Sequence, residues 1–222
     1  MTRASVRLEY LCHVTPVQNL HDILTDWCLY PLRELHAKGR QPVWPLARHS
    51  QDGYVSLSVQ YPNSNLYRDR YGYCGLEPIA LLFGINVLGS DSLLFCQANA
   101  AASGVEPMQG VSGWHAMFAD SALGSRQRPE WRRDWYYPTN CTTNPQAEIL
   151  VPGPISLDLC NRLVISSDEG WEIAKAALAG FVTATKHWEP RKIPRWFEPN
   201  LLPDVKRGKY IPQYRPGEGP AR

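Results

Sequence analysis

No apolar stretch in this chain is long enough to span a bilayer, and the first ten residues, which include Arg3, Arg7 and Glu9, hold no long hydrophobic run. Neither a signal peptide nor a membrane anchor is therefore indicated. There is no GxSxG, no GxxxxGK[ST], no GxGxxG and no HExxH. Serine hydrolase, phosphate-loop NTPase, Rossmann dehydrogenase and zinc peptidase readings thus lack a starting point. The six cysteines, Cys12, Cys28, Cys74, Cys96, Cys141 and Cys160, make no CxxC pair and no metal-ligand spacing with the histidines, and several fall inside apolar runs. They read as buried free thiols of a reducing compartment, with no metal, which makes a cytoplasmic protein the simplest expectation. Strong charge is missing too: a formal net charge of +2 and a pI near 8.2 carry no electrostatic argument, so any such argument rests on local clusters. No internal repeat is present.

What is present fits one core. A chain of 222 residues suits a single domain, since domains commonly run to about 100–200 residues. Leu8 to Val14 reads as a strand ending at Thr15-Pro16, where Thr15 as N-cap, Pro16 in the first helical position and Gln18 in a capping box predict a helix with Leu20, Ile23, Leu24 and Trp27 on its apolar side. Tyr54 to Val59 alternates as a strand does, with Ser56 and Ser58 on one face. Ile79 to Val87, Leu93 to Cys96, Ala147 to Val151 and Leu163 to Ile165 are further apolar runs, and short helices are expected within Gln97 to Gly124. Ser166 with Glu169 signals a helix bearing Trp171, Ala174, Ala177, Leu178, Phe181 and Val182. Strands in the middle with helices around them, lacking regular alternation, predict an α+β domain over 1–185. From Lys186 to Arg222, nine Lys/Arg, four Asp/Glu and seven prolines predict an extended or partly disordered basic tail, 186–222.

Two features carry chemistry. Glu148 lies in Gln146-Ala147-Glu148-Ile149-Leu150-Val151, where an amide and a carboxylate two positions apart would share one face of a strand. Ahead of it, Ser125 to Pro145 is crowded with Arg126, Arg128, Trp131, Arg132, Arg133, Trp135, Tyr136 and Tyr137. Arginines there can track phosphates and aromatics can stack on unpaired bases. A plain surface glutamate and a loop of partly buried aromatics are the competing structural readings.

Four segments, taken in order, resemble a known family. They are Tyr10-Leu11-Cys12-His13-Val14-Thr15 with Asn19-Leu20 and Ile23-Leu24; Val55 to Val59 with the turn ending Asn65-Leu66-Tyr67; Asn99-Ala100-Ala101-Ala102-Ser103; and Gln146 to Val151. The set, spanning about residues 8 to 165, resembles the DarT family of nucleic-acid ADP-ribosyltransferases, bacterial toxins that transfer ADP-ribose from NAD+ to a base in DNA. The resemblance implies an ADP-ribosyltransferase-like fold of central sheets flanked by helices, with NAD+ as co-substrate. It implies Glu148 as catalytic carboxylate, His13, Thr15, Asn19, Ser58 and Tyr67 at the dinucleotide, Gln146 facing the acceptor, and Trp131, Arg132, Arg133, Trp135 and Tyr136 on the nucleic acid. The family turn Asn-Pro-Arg-Ser-Pro-Met-Leu-Tyr has its Arg replaced by Pro62. The missing guanidinium is sought at Arg68 or Arg70, with Arg68 taken as the candidate. Thr15 as a mere cap, His13 as a core histidine and Asn19 as a solvated residue remain alternatives. The implied function is ADP-ribosylation of single-stranded DNA by a toxin or phage-defence effector held in check by an antitoxin. Transfer to RNA, and a non-catalytic nucleic-acid-binding module, are the other readings.

Overall fold

A computed structural model describes residues 8–41, 43, 52–63, 75–125, 128–198 and 201–209. The first strand, β1 (Leu11–Pro16), leads through a 3-10 turn into α1 (Leu20–Asp26), whose Leu20 and Leu24 are buried. Thr15 does not cap this helix. It lies within β1, and its hydroxyl accepts a hydrogen bond from the Asn19 side chain at 2.9 Å, so the expected capping box is not made. Trp27, in the left-handed region at φ 53°, ends α1 and donates its indole N–H to Asp158 at 2.8 Å.

β2 (Cys28–Leu29), α2 (Leu32–Ala37), β3 (Tyr54–Val59), β4 (Pro78–Phe83), β5 (Leu94–Cys96) and β6 (Met108–Gln109) follow. Then come α3 (Gly110–Met117), a hairpin of β7 (Ser121–Ser125) and β8 (Arg128–Arg132), β9 (Glu148–Pro152), β10 (Ile155–Ser156) and β11 (Cys160–Ile165). The chain continues through α4 (Asp168–Ala179), β12 (Glu189–Lys192) and α5 (Leu201–Lys206). Ser167, one residue later than expected, caps α4 by accepting from Gly170 N–H at 3.0 Å, while Ser166 donates instead to Glu77 at 2.9 Å.

Eight strands make one sheet in the order β12-β11-β4-β1-β3-β9-β5-β6. Neighbours are antiparallel except β11 and β12, whose parallel pairing requires the crossover that α4 supplies. One face buries Leu11, Leu57, Ile79, Leu81, Ile149, Leu163 and Ile165 against α1, α4 and Met117 of α3, the larger core. The other face packs Cys12, Ala80, Leu82 and Val164 against Tyr137, Cys141, Ile193, Trp196, Leu201, Leu202 and Val205. Alternation along each strand sorts side chains between the two.

The expected tail is corrected here. Residues 189–192 form the outermost strand, and Trp196 is fully buried between Tyr10 and Tyr61, with ring centroids 5.6 Å from each. The prolines misled because Pro190 sits on an edge strand and Pro194 opens a 3-10 turn, two positions that need no amide donor. Residues 210–222 lie outside the described part.

Trp196→Ala should cost about 3–5 kcal/mol of unfolding free energy, since it empties the largest fully buried side chain. Val182→Ala, at a 66% exposed position, should stay within about 0.5 kcal/mol. Urea denaturation of both variants checks the contrast.

Candidate active site

β1 runs along β4 for its whole length, from Leu11–Phe83 to Pro16–Pro78, but its register with β3 is short, Leu11 with Val59 and Cys12 with Ser58. Beyond that point β3 follows β9 instead, from Ser58–Glu148 to Tyr54–Pro152. The centre of the sheet therefore opens as a wedge whose apex is the Cys12–Ser58 pair.

His13 stands at the first position inside the wedge. Its Nδ1 lies 3.1 Å from the Ser56 carbonyl oxygen, across the gap. A carbonyl only accepts, so Nδ1 carries the proton and Nε2 keeps a lone pair in the neutral ring. Burial holds the ring's pKa below its usual value, more strongly than the Ser56 contact raises it, so the neutral form prevails at pH 7. His13 is thus a fixed acceptor for a hydroxyl or amide N–H entering the wedge. Thr15 and Asn19, farther along, are bound to one another, and Asn19 Oδ1 accepts from Val43 N–H at 3.3 Å.

Across the apex, register puts Cys12, Ser58, Glu148 and Cys96 in one row over four strands. Glu148 opens β9 and is only 7% exposed. Its Oε1 accepts from Asn99 Nδ2 at 3.1 Å and its Oε2 from Ala100 N–H at 2.8 Å. Asn99 is locked in turn, since its Oδ1 accepts from Ala101 N–H at 3.0 Å. These two charge-assisted bonds, one to each oxygen, fix the carboxylate plane. Its negative charge is felt next door: the Cys96 thiol is pushed up to about 12, by burial first and then by Glu148.

In the sequence Asn99 stands out only as part of the segment Asn99 to Ser103, which does not reveal its grip on Glu148. The sequence signal available was a small-residue turn directly after a β-strand. Gln146 departs from expectation. It precedes β9 in a turn closed by Ala147 N–H to Asn144 O at 3.0 Å, so strand alternation does not place it beside Glu148. Tyr67, Arg68 and Arg70 lie outside the described residues, as does Arg126.

The aromatic, basic segment divides into fixed and free parts. Arg133 donates to Cys141 O at 2.8 Å, Pro138 O at 2.5 Å and Thr143 Oγ1 at 3.3 Å, and lies over the Tyr137 ring at 4.9 Å. These bonds make it a brace of its own loop, which corrects the phosphate-tracking role expected of it. Tyr137 is buried and donates to Thr142 O at 3.0 Å. Asn144 ties the loop to the hairpin through Leu123 O at 2.7 Å and accepts from Gln146 N–H at 2.8 Å. Upon this frame Trp135 is 94% exposed and Tyr136 42%, their rings edge to face at 5.5 Å. Arg132 is exposed and paired with Glu130 at 2.8 Å, and Trp131 is half-buried under Lys206, whose Nζ lies 4.7 Å from its ring. Among the described residues no group of three His, Cys, Asp or Glu side chains is placed to hold a metal ion, and no helix is long and apolar enough to cross a membrane.

The family model described as "ssDNA thymidine ADP-ribosyltransferase, DarT" matches residues 12–197. Solved structures share the fold. Thermus sp. 2.9 DarT in complex with carba-NAD+ superposes with a TM-score of 0.56 at 16% identity, covering 86% of this chain and 99% of that one. The same protein in complex with ADP-ribosylated ssDNA gives 0.54 at 14% identity, over 89% and 100%. Thermosipho africanus DarTG in complex with ADP-ribose gives 0.57 at 14%, over 85% of this chain and 51% of that one. No curated protein matches the sequence.

Losing the Asn99 amide removes one charge-assisted hydrogen bond, worth about 1.5–3 kcal/mol. Asn99→Ala should therefore lower kcat by about tenfold to a hundredfold, while KM for NAD+ changes little, as steady-state kinetics would reveal. An equal rise in KM with kcat untouched would contradict a positioning role for Asn99.

Proposed function

Because the chain belongs to the DarT family of single-stranded-DNA thymidine ADP-ribosyltransferases, we infer that Glu148 is its catalytic carboxylate and the wedge between β1 and β3 its NAD+ site. The protein is an NAD-dependent ADP-ribosyltransferase that modifies a base in single-stranded DNA. The observation that carries the site assignment is the buried Glu148, clamped through both oxygens at the apex of the wedge.

Cleavage of the bond between nicotinamide and ribose sends the electron pair to the leaving ring, which becomes neutral, and leaves positive charge on the sugar. Glu148 opposes that charge. At about 4 Å and an effective dielectric near 20, opposite unit charges attract by about 4 kcal/mol, an upper guide equivalent to roughly three decades of rate. A carboxylate oxygen can also accept a hydrogen bond from a ribose hydroxyl. The base then bonds to the ribose carbon and releases a proton, for which Glu148 is the acceptor. The neutral His13, with Nε2 as acceptor, orients the dinucleotide, and Ser58, next to Glu148 in the sheet, supplies a hydroxyl. A base must leave its stack to reach the ribose carbon, which favours single strands. Trp135 and Tyr136 offer that base or its neighbours a stacking surface, and Arg132 offers a phosphate contact. Arg68 remains the candidate for the guanidinium that Pro62 displaces, with Tyr67 beside it. The cellular role proposed is that of a cytoplasmic toxin or phage-defence effector governed by an antitoxin.

Glu148→Gln should abolish transfer from labelled NAD+ to a thymidine-containing oligonucleotide, by about three decades or more, and leave oligonucleotide binding nearly intact. Undiminished transfer would remove Glu148 from the mechanism. Trp135→Ala should weaken oligonucleotide binding by about 1–3 kcal/mol, the value of one stacked base, as titration by fluorescence anisotropy would measure.

A further inference from the structure

The segment expected to be an extended, basic tail closes on the loop that presents Trp135 and Tyr136. Lys206 Nζ lies 4.7 Å from the centre of the Trp131 ring. Two residues on, a Cβ built on Gly208 would just reach Tyr136, 3.8 Å from its Cδ2 and 3.9 Å from its carbonyl oxygen, so the turn at Gly208, with φ 68°, passes close to that residue. Arg207 is close enough to act on the Tyr136 phenol, which Asp134 raises and Arg207 draws down.

The segment is also held rigidly. Asp204, 4% exposed, receives Arg195, Lys209 at 2.9 Å and Arg207 at 3.6 Å, and Arg195 also reaches Glu198. Leu201, Leu202 and Val205 sit in the same core as Tyr137 and Cys141 of the loop. Three basic side chains, Arg195, Arg207 and Lys209, thus share the one buried carboxylate of Asp204, and Arg207 and Lys209 are exposed.

We propose that α5 and the turn after it belong to the DNA-binding surface, with Lys206, Arg207 and Lys209 holding phosphates of the strand that flanks the target base while Gly208 braces Tyr136. The inference rests on the single-stranded-DNA reading above and extends it to a region outside the wedge. Charge complementarity selects the occupant: three cations that share Asp204, next to exposed aromatics, match a strand that carries one phosphate per unpaired base. The contacts lie beyond the reacting base, so they act on strand affinity and its dependence on salt.

The test uses the full chain carrying Lys206→Gln and Arg207→Gln, and a thymidine-containing single-stranded 20-mer titrated between 50 and 200 mM salt. Each lost phosphate contact lowers the slope of log affinity against log salt by about 0.7. The expected result is a slope shallower by about 1.4, with weaker binding at low salt and convergence toward wild type at high salt. An unchanged slope and affinity would overturn the proposal. Should the double variant melt well below wild type, Lys206→Gln alone replaces it, with an expected drop of about 0.7 and the same overturning outcome. The wild-type protein in the same tubes separates the two levels. Failure of wild type to ADP-ribosylate the oligonucleotide counts against the parent reading, whereas transfer by wild type with no slope change in the variants refutes the role of α5 alone.

Discussion

A carboxylate withdrawn from water takes up a proton unless donors replace the solvent it lost. The whole site depends on how that requirement is met at Glu148. The donors come from Asn99 and Ala100, on the turn that leaves β5, and β5 pairs with β9 so that Cys96 lies opposite Glu148. The turn can reach back over the carboxylate only because the strand before it is registered there. β6 and α3 bear on the position of Glu148 for the same reason. Phe95 pairs with Met108 across β5 and β6 and packs on Trp114 of α3 at 5.9 Å, so their contacts hold β5 in place. Glu148 is therefore positioned by long-range sheet pairing and held by the donors of a local turn.

The second constraint is the short register between β1 and β3. A continuous sheet would have closed the gap with backbone hydrogen bonds. Here the strands part after Cys12–Ser58, and the His13 ring supplies a side-chain bond to Ser56 O in place of a ladder bond. Burial then keeps the imidazole neutral, so the wedge presents an acceptor there in place of a positive charge. That suits a co-substrate whose nicotinamide is already cationic. Beyond His13, Thr15 and Asn19 are joined to each other by one side-chain hydrogen bond.

Much of this was legible in the sequence, and the failures have physical causes. Tyr54–Val59 showed its period of two because one face is core and the other carries serines. Glu148 could be singled out because a lone carboxylate heads an apolar run. Thr15-Pro16 looked like a helix start since local propensity favours one, yet pairing with Ile79 and Pro78 in β4 extended the strand through both residues. The region after Lys186 looked disordered by composition, but composition could not show that its prolines fall at an edge and in a turn, or that Trp196 finds a pocket between Tyr10 and Tyr61. Asn99 carried no signal of its own because its partner lies 49 residues away. Arg133 looked like Arg132, and only the fold distinguishes a guanidinium committed to three loop acceptors from one at the surface.

The position of Gln146 shifts the burden of acceptor choice. On a regular strand it would sit beside Glu148 and read the base edge, but the turn closed by Asn144 leaves it outside β9. The same Asn144 bonds Leu123 O in the hairpin and Gln146 N–H before the strand, joining the two regions through one amide. Hairpin, aromatic loop and the approach to Glu148 are consequently tied into one frame. Arg133 stiffens it from within, and α5 backs it from outside through Lys206 and Gly208. Under the role proposed for Glu148, selection of the base rests on where this frame lets an unstacked nucleotide lie against the carboxylate. Rigid support of that kind also lowers the ordering cost of holding a flexible single strand.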